Sequence, residues 1–292
     1  MSTVAEYYNH TLMAAHRHTL MGVELEAEGY SGRYDEGLDA WNVIEDHSLR
    51  NRGVEFVHKV PLRGIQLHDS IDELGRCLSG YSLNISHRCS MHVHIDVRNF
   101  TIAELERLYR LYVLFEPALY HIGAKDRYEN IYCPGLTHAT EQVKQAAQAF
   151  SVKSFNNLVD YGCKYTGFNF LPIATQGSVE IRTHAGTLRT EDMHTWVDVL
   201  GSLVAYAREC SLEDINKLSS LPPEQAAAVV WESRLINYVV CPALHNYWEN
   251  TKLNLLYMDL VDEALLKYEE RSSRSAVAMD FDLLNNYVRE NV

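Results

Sequence analysis

Three acidic residues alternate along one short segment, and their spacing could gather metal ions. Glu24, Glu26 and Glu28 lie two positions apart within residues 22–28, GVELEAE. In an extended strand, side chains at this spacing project from the same face. Like charges in such a row repel one another unless a cation neutralises them, and hard divalent cations such as Mg²⁺ or Mn²⁺ prefer carboxylate oxygens. The segment is therefore either a solvated strand face or part of a metal site.

A His-x-His pair forms the second candidate group. His92 and His94 share one face of a strand predicted over residues 91–97, and Asp96 continues that face. Two imidazoles at this spacing suit a metal, or one binds a metal while the other binds an anion, although an exposed strand face would show the same pattern. Zinc would normally require a third His or Cys. The sequence offers carboxylates more readily, which favours a harder cation.

The third group combines an acid, a guanidinium and an imidazole. Glu180, Arg182 and His184 alternate, so they are predicted to share one face of a strand that begins near residue 178. One interpretation is a cross-strand ion pair. The other is a metal-binding carboxylate beside an arginine that holds phosphate, because the planar guanidinium matches phosphate oxygens. The sequence has no Gly-rich phosphate loop, so a nucleotide would have to be bound in another way.

Strands and helices must position these groups. Alternation and turn residues predict strands near 21–28, 41–45, 54–58, 91–97, 164–170 and 178–183, the third of which carries Glu55. Capping signals and apolar periodicity predict helices from Ser70 to about 78, from Thr101 to near Gly123, over 140–150 and from 190 to about 208. Mainly helices are predicted after residue 211. The layout places the polar motifs on strands and the connecting segments in helices.

Composition limits the function classes. The chain has 292 residues, of which 47% are hydrophobic, which predicts a globular protein of one or two domains. A net charge of −13 argues against non-specific nucleic-acid binding. No apolar run approaches the roughly 20 residues that cross a bilayer, and residues 1–20 lack the apolar stretch of a signal peptide, which predicts a cytoplasmic protein without a membrane partner. The six cysteines form no Cys-x-x-Cys pair and are predicted to be reduced thiols.

Together the motifs resemble the amidoligase family, within the glutamine synthetase and glutamate–cysteine ligase superfamily of carboxylate–amine ligases. The resemblance rests on GVELE at 22–26, D-x-SL at 46–49, GVEFVxxVPL at 53–62, MHVH at 91–94 and VEIRxHxGT at 179–187. The resemblance covers about residues 20–200 and implies an α+β fold with a glutamine synthetase-like curved antiparallel β-sheet and helices packed on its convex face. The helical C-terminal region is predicted from the sequence pattern alone, because residues past about 210 do not share the resemblance. The catalytic domain would be residues 1–210, with 211–292 as a helical extension packed on it.

The resemblance also implies a reaction and a site. ATP and two or more Mg²⁺ (or Mn²⁺) ions would bind the concave face, where a carboxylate is phosphorylated and an amine then attacks the acyl phosphate. The implied metal ligands are Glu24, Glu26, Glu55, His92 and Glu180. The implied nucleotide or phosphate contacts are His94, Arg127, Lys164, Asn169 and Arg182, and the implied catalytic residues are Arg182, Glu55 and Arg127. Two residues depart from the family pattern: Ser90 stands where Gly is usual, and His58 where Ser is frequent.

The expected substrates are a small-molecule or peptide carboxylate and an amine, and nucleic acid is expected only as a modified-base substrate. The C-terminal helices could pack on the sheet or pair with a second subunit, giving a homo-oligomer. Two alternatives stay open: a guanidino-kinase-like phosphotransferase, which shares the implied fold, and a non-enzymatic metal-binding protein. A phosphotransferase would release ADP without joining two substrates, so the mass of the product separates it from a ligase.

Overall fold

A six-stranded antiparallel sheet forms the centre of the computed structural model, which describes residues 2–11, 19–32, 38–123, 127, 133–135, 140–160, 164–244 and 248. The described strands are β1 (Met21–Ala27), β2 (Trp41–Glu45), β3 (Val54–His58), β4 (Ser90–Asp96), β5 (Phe168–Asn169) and β6 (Ser178–Ala185). Their order in the sheet is β2-β3-β1-β4-β6-β5, and every neighbouring pair is antiparallel. The sheet is open, with β1 and β4 in its middle.

Helices connect and cover these strands. Those of the described residues are α1 (Val4–Tyr8), α2 (Gly64–Leu78), α3 (Ile102–Gly123), α4 (Thr140–Ser151), α5 (Phe155–Asp160), α6 (Pro172–Gln176), α7 (Thr190–Glu209), α8 (Leu212–Ser219), α9 (Pro223–Val230) and α10 (Ser233–Leu235), with a π-helical turn at Ile236–Val240. The mixed α and β content and the helices after residue 211 are confirmed as far as the described chain extends. No helix in that part of the chain is long and apolar enough to cross a membrane.

The two faces of the sheet differ in chemistry. Val23 and Leu25 of β1 and Val93 of β4 are buried in the hydrophobic core. The long helices α3 and α7 pack against each other and belong to the same core. Because side chains alternate along a strand, the residues between these apolar ones project from the opposite face. The helices thus cover the apolar face, and the polar motifs lie on the other.

The helix starts show one correct and one wrong prediction. Thr101 precedes α3 in a reciprocal capping arrangement: the backbone N–H of Glu104 donates to Thr101 Oγ1 at 3.3 Å, and the Glu104 carboxylate accepts from the Thr101 N–H at 2.7 Å. The predicted start at Ser70 is wrong, because α2 begins already at Gly64. The buried residue Leu67 extends the apolar stripe of the helix towards its N-terminus, and the Ser70 hydroxyl donates to the Leu67 carbonyl at 2.7 Å.

A bulge between β4 and β6 changes the face on which His184 lies. Met91 pairs with His184, whereas Val93 pairs with Ile181, so β6 contains one extra residue between these pairs. The His184 ring lies on the apolar side, 5.1 Å from the ring of Trp196 in α7, and burial lowers its pKa. The prediction that this histidine shares a face with the acid and arginine of β6 is therefore wrong, since the extra residue interrupts the alternation.

The edge strand β5 differs from its prediction, whereas the described cysteines agree with theirs. The strand predicted over 164–170 is shorter in the structure, where only Phe168 and Asn169 pair with β6. The five described cysteines are free thiols, as predicted, and Cys163 lies outside the described residues. Within the predicted loop over 124–135, the structure describes Arg127 and residues 133–135.

Candidate metal and phosphate site

The strand register brings the predicted site residues together on the polar face. Glu24 of β1 is opposite His92 of β4, and His94 is opposite Glu180 of β6. On the other side of β1, Glu26 is opposite the acid of β3. We define the acidic site by the six polar residues that cluster here: Glu24, Glu55, His92, His94, Glu180 and Arg182.

Glu24 lies at the centre of the acidic site. Its Oε2 atom is 3.4 Å from Nδ1 of His92, and its Oε1 atom is 3.2 Å from Nε2 of His94. Burial alone would raise the pKa of Glu24, but the hydrogen bonds from both histidines outweigh burial and lower it. Burial likewise disfavours the charged form of His94, yet the contact with Glu24 raises the pKa of that imidazole. Glu24 is thus held as a carboxylate between two rings.

The surroundings of Glu55 favour its protonated form, whereas those of Glu24 favour the carboxylate. Burial raises the pKa of its carboxyl to about 8, and the charges of Glu24 and Glu26 raise it in the same direction. Crowded carboxylates of this kind must either keep a proton or share a cation. Glu55 therefore marks the point at which added positive charge would relieve the most repulsion.

Among the residues that the structure describes, two sets of donor atoms lie close enough to hold metal ions. The first consists of Glu24, Glu55 and His92, the second of Glu24, His94 and Glu180, and in each set the ligand atoms lie within 4.8 Å of one another. Nε2 of His92 is buried, and none of the described residues forms a hydrogen bond with it, which is a costly state unless something else binds there. Carboxylates with one imidazole per set fit Mg²⁺ or Mn²⁺.

Glu26 belongs to neither donor set. Its Oε2 atom accepts a hydrogen bond from the backbone N–H of Ser90 at 2.6 Å and another from the Ser90 hydroxyl. In the family that the sequence resembles, glycine usually occupies the position of Ser90, and glycine has no hydroxyl to make this contact. The buried Glu26 side chain therefore anchors the start of β4, a contact that sequence reasoning missed, and its charge still acts on Glu55.

Arg182 and Asn169 extend the acidic site towards the edge of the sheet. Glu180 accepts a hydrogen bond from Nη1 of Arg182 and another from Nδ2 of Asn169 at 2.6 Å. Nε of Arg182 is buried and has no hydrogen-bond partner within the part of the chain that the structure describes. A guanidinium with unused donor capacity thus borders the second donor set, where an anion could meet it.

The structure places the other two predicted phosphate contacts differently. Nη1 of Arg127 donates to the carbonyl of Cys89 at 3.1 Å, and Nη2 contacts the carbonyl of Arg182 at 3.5 Å. With 5% of its surface exposed, Arg127 braces β4 and β6. Lys164 is exposed, and its Nζ atom lies 5.0 Å from the ring centroid of Tyr165. Among the described contacts, none joins Lys164 to the acidic site.

A pocket of about 300 Å³ opens beside the acidic site. Glu24 and His94 form one wall, and Nδ1 of His94 lies 3.1 Å from the hydroxyl of Ser178, which also lines the pocket. Asp96 and Arg98 also line the pocket, and Arg98 binds Asp96 through two hydrogen bonds of 2.9 and 2.7 Å. Two of the three residues of the second donor set, Glu24 and His94, line the pocket, so a small molecule bound there would lie beside that set. Sequence reasoning missed Ser178 and Arg98, which carry no local motif.

The comparisons with known proteins come from a family model and from curated sequences. A family model described as "Putative amidoligase enzyme" matches residues 11–204. The match covers more than half of the chain and includes every strand that contributes to the acidic site. The comparison with curated proteins gave no match.

Proposed function

Because the chain belongs to the amidoligase family whose model it matches, we propose that it is an ATP-dependent carboxylate–amine ligase. Membership indicates an enzyme of the ligase type, as the sequence motifs predicted. The finer proposal is that it forms an amide or isopeptide bond through an acyl phosphate. The open antiparallel sheet would then be of the glutamine synthetase type, with the acidic site on its concave face.

The observation that carries the proposal is the sharing of Glu24 between two donor sets, with Arg182 beside the second. Such an arrangement would hold two divalent cations next to a guanidinium, which suits the phosphate tail of ATP. Bound cations would neutralise the charge that develops on the transferring phosphoryl group. The donor sets supply the ligands by name: Glu24, Glu55 and His92 for one ion, and Glu24, His94 and Glu180 for the other.

The protein groups around this tail have separate roles. Before a cation binds, hydrogen bonds from His92 and His94 orient Glu24 and keep it ionised, which is consistent with its lowered pKa. Glu180 holds the guanidinium of Arg182 in place, so that its remaining N–H donors can meet phosphate oxygens without a further conformational search. Glu55 would hold a proton until a cation replaces it. These residues bind and orient, which is the main contribution of a protein to phosphoryl transfer.

The proposed reaction has two steps. A carboxylate oxygen of the acid substrate attacks the γ-phosphorus of ATP, ADP leaves and an acyl phosphate forms. The amine nitrogen then attacks the acyl carbon, and the C–O bond to phosphate breaks, which releases inorganic phosphate and a proton. We place one of the two substrates, a small-molecule or peptide acid or amine, in the pocket that His94 and Arg98 line, because Glu24 and His94 of the second donor set line it too.

The test is ATP turnover with a panel of acids and amines in the presence of Mg²⁺. ADP, phosphate and a product whose mass equals the sum of both substrates minus water are expected. Glu24→Gln, which keeps the shape of the side chain but removes its charge, is expected to lower ADP release at least a hundredfold. Glu45→Gln is the matched control, since Glu45 is an exposed acid on β2. Equal ADP release by wild type and Glu24→Gln, or no binding of ATP and Mg²⁺, would reject the proposal.

A further inference from the structure

Helices α2 and α7 pack closely on the apolar side of the sheet, away from the acidic site. A Cβ atom added to Gly75 of α2 would lie 2.2 Å from Cγ2 of Thr190 in α7, so this glycine lets the two helices approach. Further along the same interface, two polar pairs face each other. Gly75 lies near Thr190 at the start of α7, whereas His68 lies near Asp198 further along α7, so the two helices run antiparallel.

The polar pairs form a continuous chain of four side chains. His68 and Asp72 lie four residues apart on α2, and His194 and Asp198 lie four residues apart on α7, so each pair shares one helix face. Nε2 of His68 is 3.1 Å from Oδ1 of Asp198, and Nε2 of His194 is 2.8 Å from Oδ1 of Asp72. The two Nδ1 atoms are 2.7 Å apart. An Asp–His–His–Asp chain thus crosses the helix interface.

The hydrogen-bond donors and acceptors of these four side chains determine what lies between the two imidazole rings. Each Nε2 faces a carboxylate, which accepts only, so each Nε2 carries a hydrogen. The ring planes differ by 9° and the centroids are 4.7 Å apart, much farther than the two nitrogen atoms, so the rings meet edge to edge. The in-plane lone pairs of the two Nδ1 atoms therefore converge, with a single hydrogen between them.

This arrangement is the one that metal-binding histidines adopt. A ligating imidazole presents one nitrogen to the metal and donates its other N–H to a carboxylate, which fixes the orientation of the ring. Both His68 and His194 meet this description. Arg234 donates to Oδ2 of Asp198 at 2.9 Å, which holds that carboxylate towards His68. No residue of this group belongs to the acidic site.

We propose that Nδ1 of His68 and Nδ1 of His194 form a second metal site, which binds Zn²⁺ at the α2–α7 interface. The ion takes the place of the shared hydrogen, which leaves to solvent as a proton. Zinc–nitrogen bonds of about 2.0–2.1 Å at a tetrahedral angle place the nitrogens about 3.3 Å apart, slightly more than at present. Two imidazoles are one protein ligand fewer than zinc normally takes, so water must supply the remaining ligands. The side chains of His68 and His194 are 30% and 23% exposed, which gives water that access.

The proposed ion would tie together two elements of the catalytic scaffold. Helix α2 follows β3 and helix α7 follows β6, and these strands carry Glu55 and Glu180. A ligand that binds only the folded state stabilises it by mass action. Imidazole nitrogens select zinc over the hard cations that the acidic site suits, so the two sites should be loaded by different metals.

Zinc titration of the full chain in excess Mg²⁺ tests the proposal. Wild type is expected to bind one Zn²⁺ more than either His68→Gln or His194→Gln. Asp198→Asn should retain the site with an affinity lowered about 10- to 100-fold. His47→Gln is the matched control and should equal wild type, because the His47 side chain is 86% exposed and lies in the turn between β2 and β3. Equal zinc stoichiometry in wild type and His194→Gln would overturn the proposal.

A second measurement uses the unmodified protein and does not depend on the folding of a variant. Anomalous diffraction at the zinc edge from zinc-soaked crystals should show a peak within bonding distance of both Nδ1 atoms. A map without a peak between His68 and His194 would equally overturn the proposal. Zinc bound at the acidic site would give a separate peak, so the result is independent of the proposed ligase activity.

Discussion

Protonation of the buried His58 is expected to make the stability of the fold depend on pH. Its Nδ1 atom accepts a hydrogen bond from the backbone N–H of Val23 at 3.0 Å, so the neutral ring carries its hydrogen on Nε2. That atom lies 2.9 Å from the hydroxyl of Ser70, and the ring centroid is 3.8 Å from that of Trp41. Burial lowers the pKa of His58 to about 3 from its ordinary value of 6.5. A neutral imidazole thus joins β3, β1 and α2.

The sign and size of the pH effect follow from this pKa. The unfolded chain binds a proton at His58 below pH 6.5, whereas the folded protein does so only near pH 3, so stability is present above pH 6.5 and is lost as pH falls. At about 1.4 kcal/mol per pH unit, the loss between pH 7 and pH 5 is about 2 kcal/mol. His58→Asn keeps an acceptor for the Val23 N–H but removes the titration.

Urea unfolding at pH 7, 6 and 5 measures the effect. Wild type should lose about 2 kcal/mol more stability between pH 7 and pH 5 than His58→Asn, whatever the absolute stability of the variant. Replacing the exposed His47 by Asn should leave the pH dependence of wild type unchanged. Parallel pH profiles for wild type and His58→Asn would refute the reasoning, because they would mean that His58 takes up a proton as readily when folded.

Two further predictions concern helix packing and metal binding. Gly75→Ala should destabilise the fold by about 1–2 kcal/mol in urea unfolding, because its Cβ meets Cγ2 of Thr190, and adding Thr190→Ser, which lacks that methyl, should restore stability; no recovery in the double variant would contradict this. Mg²⁺ affinity, measured by calorimetry, should rise between pH 6 and pH 8, because the carboxyl of Glu55, with a pKa of about 8, must lose its proton to a cation. Glu55→Gln should remove that dependence, and a flat profile in wild type would count against Glu55 as a ligand.

Alternation made the polar face of the central strands predictable. Period-two spacing predicts the strand face on which Glu24, His92 and Glu180 each lie, and the structure brings the three side chains together. This succeeds because the face on which a side chain lies depends only on local backbone geometry within a regular strand. His184 shows the limit: the bulge that turns it towards α7 depends on how β4 and β6 pair, which neither strand encodes alone.

Contacts between distant segments could not be predicted from the sequence. Ser90 binds Glu26 across 64 positions of sequence, and no motif marks the pair. His68 and His194 each occupy an ordinary His-x-x-x-Asp pattern, which alone predicts nothing more than a polar helix face. Their meeting depends on the antiparallel packing of α2 and α7. The predicted start of α2 failed for a related reason, because burial of Leu67 outweighed a local capping signal.

The central position of Glu24 decides which parts of the acidic site are genetically separable. Any substitution at Glu24 withdraws an oxygen from both donor sets together, so its phenotype would be a composite of two defects. Glu55 and Glu180 each belong to one set alone. Separating the roles of the two proposed ions, by mutation or by natural divergence, must therefore proceed through these flanking acids and leave the shared one intact.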